Sequence, residues 1–162
     1  FNMNKKAILF STDLLVSMLV FLVVLIFFIS VWNIYSERLA SNVEAEEIQL
    51  LAFQITDLMV RSPGVPENWH INSTNISTIG FKKSHDILSQ DKLNTFFSLD
   101  YNLTKTLFNI NRYEYQFEVR DSNGNLINST NNSIVNSKTL IAVNRLAQVN
   151  NETQEIIFKI WK

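Results

Sequence analysis

The sequence predicts an α+β chain, with one long N-terminal helix followed by a small antiparallel β-sheet. Three observations carry that prediction. Residues 7–35 hold 23 apolar residues out of 29, whereas residues 36–162 hold 50 out of 127. Apolar residues then recur at three- and four-residue spacings until Pro63-Gly64. From Arg112 the period changes to two. The 46% apolar average over 162 residues thus joins a dense apolar block to a polar remainder, which excludes a simple soluble domain.

The block itself comes first. Leu14–Trp32 is 19 residues without a charge and with two serines. At 1.5 Å per residue it reaches about 28 Å, close to the hydrocarbon thickness of a bilayer. A cleaved secretory signal would have a shorter apolar region and a small-x-small site, and Phe28-Ile29-Ser30-Val31-Trp32-Asn33 is too bulky for one. Lys5 and Lys6 precede the block, while Glu37 and Arg38 beyond it cancel, so the positive-inside rule predicts an N-in, C-out single span. Trp32 and Tyr35 fall where an outer aromatic belt would lie. Ser11, Thr12 and Asp13 near the start have two readings. Ser11 or Asp13 could cap the helix, or Asp13 could pair with a positive group on a neighbouring subunit.

The helix is expected to continue past the bilayer. Leu39, Val43, Leu50, Leu51, Ile55, Leu58 and Met59 form one face and Glu44, Glu46, Glu47 and Asp57 the other. A continuous helix from Ile8 to Arg61 has 54 residues and a length of about 81 Å. The expected divisions are a basic leader over 1–7, a transmembrane helix over 8–35, its amphipathic continuation over 36–62, and a head domain over 63–162.

Within the head, a short extended piece is expected at Ile76–Phe81. Ser89 should cap a helix burying Leu93, Phe96 and Phe97, and a second short helix should cover Asn102–Phe108. Tyr113, Tyr115, Phe117 and Val119 alternate with Arg112, Glu114, Gln116, Glu118 and Arg120, the pattern of a half-buried strand. Asn123-Gly124 then suggests a type I′ turn into a partner strand at Leu126–Asn128. Thr139–Val149 and Gln154–Trp161 read as two more strands joined at Asn150-Asn151-Glu152, with Ile156, Phe158 and Ile160 on one face. Three or four antiparallel strands on the far half of the helix is the economical architecture.

Composition leaves little for catalysis. Fourteen Lys+Arg against 15 Asp+Glu give a net charge of −1, which excludes a basic nucleic-acid binder. The absence of cysteine excludes a disulfide scaffold, a thiol nucleophile and a Cys-based metal site. His70 and His85 lack metal-ligand spacing, and three glycines cannot build a phosphate cradle. Asp121-x-Asn123-Gly124-Asn125 lacks the distal acid of a calcium loop, so a hairpin is expected there. No cofactor, metal or enzyme activity is expected. Asparagine stands out at 20 residues, and N-x-[ST] occurs at Asn72, Asn75, Asn102, Asn128, Asn131 and Asn151. Six sequons exceed the about three that chance predicts, and all lie beyond the apolar block. Glycosylation and accident remain open.

Basic residues, a small residue, then an apolar helix with a hydroxyl and an acid near its start is the layout of type IV prepilins. Lys5-Lys6-Ala7-Ile8 followed by Leu9-Phe10-Ser11-Thr12-Asp13 resembles the class III signal peptides of archaeal pilin-like proteins. The resemblance implies cutting by a prepilin-type peptidase at Ala7–Ile8. The family's acid usually stands at the fifth mature position, which is Thr12 here, with Asp13 sixth. Ser62-Pro63-Gly64-Val65-Pro66 with Trp69, Ile79-Gly80-Phe81, Leu88-Ser89, Lys92-Leu93 and Trp161 is similar to archaeal membrane-anchored pilin-like proteins. The resemblance further implies a lollipop-shaped subunit of a surface filament or pseudopilus. Its partners would be membrane lipid, self or other pilin-like subunits through the N-terminal helix, and the peptidase. The competing expectation is a tethered binding or adhesion module, with Trp69, Tyr113 and Tyr115 stacking on sugar rings. A sensor role lacks support, since six residues precede Ala7.

Overall fold

The structure, a computed structural model, describes residues 3–72, 75–84, 87–130, 137 and 139–162, with side chains from Thr12 onward. The chain divides into two compact units, Phe1–Glu44 and Ala45–Lys162. The first consists of the leading part of helix α1, which spans Met3–Arg61. The chain thus has a long N-terminal helix whose last turns pack on an antiparallel-rich C-terminal sheet.

In the second unit α1 contributes Ile48, Ala52, Ile55 and Met59 to the core, at spacings of four, three and four. Leu51 and Val60 flank them, half-buried. This corrects the expected apolar face in part, since Ile55 and Met59 join the core as expected and Leu51 packs beside it. Leu39, Val43, Leu50 and Leu58 are exposed, Leu50 by 58%. The helix is apolar on two sides, and the sheet covers only one.

Helix α1 ends at a junction built by the loop segments on either side of Trp69. Ser62 N–H donates to Leu58 O at 2.9 Å, and Phe81 N–H donates to Met59 O at 2.8 Å, which satisfies carbonyls of the last turn. Lys82 N–H reaches Ser62 O at 3.0 Å, and a bridge joins Val65 to Thr78. The expected extended piece at Ile76–Phe81 is reduced to that bridge. Gly64 (φ +85°) lies against the Trp69 ring, where a Cβ would be 2.5 Å from Cδ1. A Cβ on Gly80 would sit 2.2 Å from Ser62 O. Trp69 is fully buried and its Nε1–H donates to Gly80 O at 3.0 Å.

The rest of the chain forms β1 (Lys82–Ser84), β2 (Ile87–Leu88), α2 (Gln90–Ser98), α3 (Tyr101–Leu107), β3 (Glu114–Arg120), β4 (Leu126–Ser129), β5 (Leu140–Val149) and β6 (Glu152–Trp161). Ser89 caps α2 and Asp100 caps α3. Among the described residues six strands form one sheet in the order β1-β2-β5-β6-β3-β4. Its pairs are antiparallel except β2 with β5, which is parallel. The two short strands on that side add to the three or four expected from alternation.

One turn differs from its expected type. At Asp121–Asn125 only Gly124 has positive φ, and Gly124 N–H donates to Asp121 O at 3.0 Å. That is a type I turn closed by a left-handed glycine, not a type I′ turn. The type I′ signature lies instead at Asn150 (φ +52°) and Asn151 (φ +67°), between the paired Val149 and Glu152.

Tyr115, Phe117 and Val119 from β3 and Ile156, Phe158 and Ile160 from β6 face the core. There Phe96 meets Phe81 and Phe117 edge-on, with ring centroids 5.4 and 5.1 Å apart. The other face of the sheet is not uniformly wet. Glu118, Ile157 and Trp161 are buried there. Glu118 is held by Lys159 and by Arg120, whose Nη2 lies 2.8 Å from Oε2. The expectation of Glu118 as a solvent-facing residue is therefore corrected. Its two cations supply the pairing that a buried carboxylate needs.

Candidate functional site

The first unit presents the largest chemical anomaly. Apart from Val31, every apolar side chain from Leu14 to Trp32 is 40–69% exposed. Such a run of apolar residues in water would violate the limit on exposed apolar surface, so this is a surface made for lipid or for other protein. Among the described residues one helix is long and apolar enough to cross a membrane. A helix is the right element, because it satisfies its own backbone polar groups without water. The Ser30 hydroxyl also turns inward, donating to Ile26 O at 2.8 Å. Trp32 and Tyr35 are exposed at the end of this stretch, where amphipathic rings favour a lipid–water boundary.

Lys5, Lys6, Ala7, Ile8 and Ser11 lie within α1, and their side chains are outside those described. Because α1 already begins at Met3, Ser11 and Asp13 are interior positions. The capping role expected for them is thereby corrected. Thr12 and Asp13 are exposed, and in this helix a carboxylate among apolar neighbours keeps its desolvation problem unless it stays near the membrane edge or finds a cation.

In the second unit the residues expected to stack on a ligand do not reach the surface. Trp69, Tyr113 and Tyr115 are all buried. Tyr115 stacks between Tyr101 and Phe158, with ring centroids 4.8 and 5.6 Å away. Its hydroxyl bonds to that of Thr104. Burial is the main cause that pushes the Tyr115 phenol up to about 12. Lys105 reaches Glu114 Oε1 at 2.8 Å, and the Tyr101 hydroxyl donates to Glu114 Oε2 at 2.7 Å, so the polar atoms beside this core serve one another.

A cleft of about 510 Å³ is lined by Glu67, Asn68, His70, Lys82, Lys83, Ser89, Asp91 and Lys92. Burial lowers the Lys92 ammonium below the usual lysine range, against the charge of Glu67. Its Nζ nevertheless donates to Pro63 O at 2.7 Å and Lys82 O at 3.2 Å. Lys92 thus ties α2 to the junction at the end of α1. The Asp121 carboxylate accepts from Asn123 N–H, Asn125 N–H and Asn125 Nδ2 at 2.8–2.9 Å. Those bonds, with the Asn125 side chain first among them, hold it below the usual carboxylate range. Among the described residues no group of three or more His, Asp or Glu could hold a metal ion. Glu47 of the acidic run pairs with Arg112. His85 and Asn131 lie outside the described residues.

Of the sequons, Asn72, Asn75, Asn102, Asn128 and Asn151 are all exposed. Their local structures differ: Asn102 is in α3, Asn128 in β4 and Asn151 in the type I′ turn. Sequence reasoning missed the buried carboxylate of Glu118 with its two cations and the buried Lys92, whose ammonium is held by backbone carbonyls. Alternation placed Glu118 outward, and a lysine within one turn of a cap reads as solvated. No family model, curated protein or solved structure matches the chain.

Proposed function

We propose that the chain is a pilin-like or minor-pilin structural subunit of a cell-surface filament or pseudopilus, anchored N-in and C-out by its apolar N-terminal helix. The observation that carries this reading is α1 itself. One helix presents Leu14–Trp32 bare and apolar, and buries Ile48, Ala52, Ile55 and Met59 in the folded head. A filament core would exchange lipid contacts along Leu14–Trp32 for contacts with other copies or other pilin-like subunits. Ser17 and Ser30 are the only small residues in that stretch, which favours packing of bulky side chains over close GxxxG-type approach.

In this reading Lys5 and Lys6 stay cytoplasmic and a prepilin-type peptidase cuts at Ala7–Ile8. Asp13 then meets a cation of a neighbouring subunit, which removes its desolvation cost once the helix leaves the lipid. The N-terminal sequence of the protein recovered from its native membranes tests the assignment. A chain beginning at Ile8 supports it. A chain that retains Lys5-Lys6 rejects processing and favours a permanently tethered module.

A further inference from the structure

We infer that the folded head restricts N-glycan attachment to Asn75 and Asn151 among the sequons described in full, and that Asn102 and Asn128 are not acceptors. The inference rests on the outside placement of the head. In the transfer, Asn Nδ2 attacks C1 of a saccharide linked to a polyprenyl phosphate. The Nδ2–C1 bond forms as the C1–O bond to phosphate breaks. The lipid phosphate leaves with the electron pair, and the amide gives up one proton to solvent or to a base of the transferase. The enzyme reads the Ser or Thr hydroxyl two residues on as well as the amide. The side-chain amide and the hydroxyl must therefore be reachable from solvent together, neither of them held by the fold.

Asn102 fails that requirement. It lies in α3, and its sequon hydroxyl belongs to Thr104, which is 1% exposed. That hydroxyl donates to Tyr101 O at 2.8 Å and bonds to the Tyr115 hydroxyl. Asn128 fails differently. It pairs with Val119 in β4, and its Oδ1 accepts Ser129 N–H at 2.9 Å. The hydroxyl oxygen of Thr130 accepts Phe117 N–H at 2.9 Å, and Thr130 N–H returns to Phe117 O at 2.9 Å. Releasing either sequon means breaking contacts with β3, which is paired on both sides.

Asn75 and Asn151 meet the requirement. Asn75 and Ser77 are both exposed, in the segment that leads to the Thr78 bridge. Asn151 and Thr153 are both exposed: Asn151 stands in the two-residue turn between β5 and β6, and Thr153 follows near the start of β6, opposite Gln148. Asn72 and Asn131 receive no assignment, because sequon residues there lie outside those described.

The test uses the full chain in detergent with a single-subunit oligosaccharyltransferase that accepts the bare sequon and a polyprenyl-phosphate-linked oligosaccharide. Occupancy at each site is read by glycopeptide mass spectrometry. A synthetic peptide of residues 99–107 serves as the unfolded form of the Asn102 sequon. Asn75 and Asn151 should fill, and the peptide should be modified. Asn102 and Asn128 in the folded chain should react at least about tenfold more slowly, since α3 or β4 must first open. Modification of Asn102 in the folded chain at the rate of the peptide overturns the inference, as do bare Asn75 and Asn151 beside a modified peptide. If both fill in vitro but are bare in protein from native membranes, the outside placement of the head fails and the acceptor geometry stands.

Discussion

Gly80 and Gly124 show how differently one residue type can be constrained. A Cβ at Gly80 would lie 2.2 Å from Ser62 O and 2.6 Å from Gly64 N, both backbone atoms of the junction that ends α1. Gly124 has φ +83° and open space around its missing Cβ. Gly80→Ala should therefore cost about 3 kcal/mol or more in the unfolding of the head. Gly124→Ala should cost about 1 kcal/mol, from backbone strain alone. Denaturant titration of the full chain in detergent measures both, and equal costs would contradict the junction geometry. Titration gives a second check. Glu118 is held below its usual 4.5: burial alone would raise it, but hydrogen bonds and charge from Lys159 and Arg120 together outweigh burial. Its folded pKa is depressed, so its contribution is present above pH 4.5 and is lost as pH falls through the folded value. Glu118→Gln should flatten that acid limb. Tyr115 is raised from 10.0 to about 12. The folded chain holds more protons between those values, so stability should fall as pH rises from 10 to about 12. Tyr115→Phe should remove this limb, at a cost near neutral pH of about 1 kcal/mol.

At the scale of elements, periodicity located the helices and the long strands but not the partners of each face. The β5–β6 hairpin was legible because Ile156, Phe158 and Ile160 alternate and Asn150-Asn151 tolerates positive φ. The strands β1 and β2 were not, because three and two residues carry no alternation and β2 pairs with the distant β5. Trp69 lay in a polar stretch, and no periodicity there announced the burial of its ring against Gly64. On α1 the sequence offers apolar residues on two sides, so the stripe Ile48, Ala52, Ile55 and Met59 becomes distinguishable only once the sheet is placed. Ala52, with no exposure, should reject a larger side chain: Ala52→Leu is expected to destabilise the head by about 1–3 kcal/mol. Leu50→Ala, at an exposed position, should change its stability by less than about 0.5 kcal/mol. A reversal of that order in the same titration would mean that the sheet covers the other face.

For the whole molecule, the strongest feature of the sequence and of the structure is the same. Leu14–Trp32 is uninterrupted, apolar and bare. Nothing among the described residues covers it, so lipid or protein must. That much was legible because a run without charge or Pro leaves few alternatives to a helix in an apolar surround. Which of the two surrounds it is depends on a balance between lipid and helix–helix contacts that no single chain encodes. The absence of cysteine makes the question accessible, since one introduced thiol reports on one position. The most direct measurement is cross-linking of the full chain in its native membranes, with Phe28→Cys and Leu39→Cys variants and a short bis-maleimide. A filament subunit predicts covalent dimers or adducts with other pilin-like chains at both positions. Monomers alone, from thiols that still react fully with a membrane-permeant maleimide, would contradict assembly through this helix.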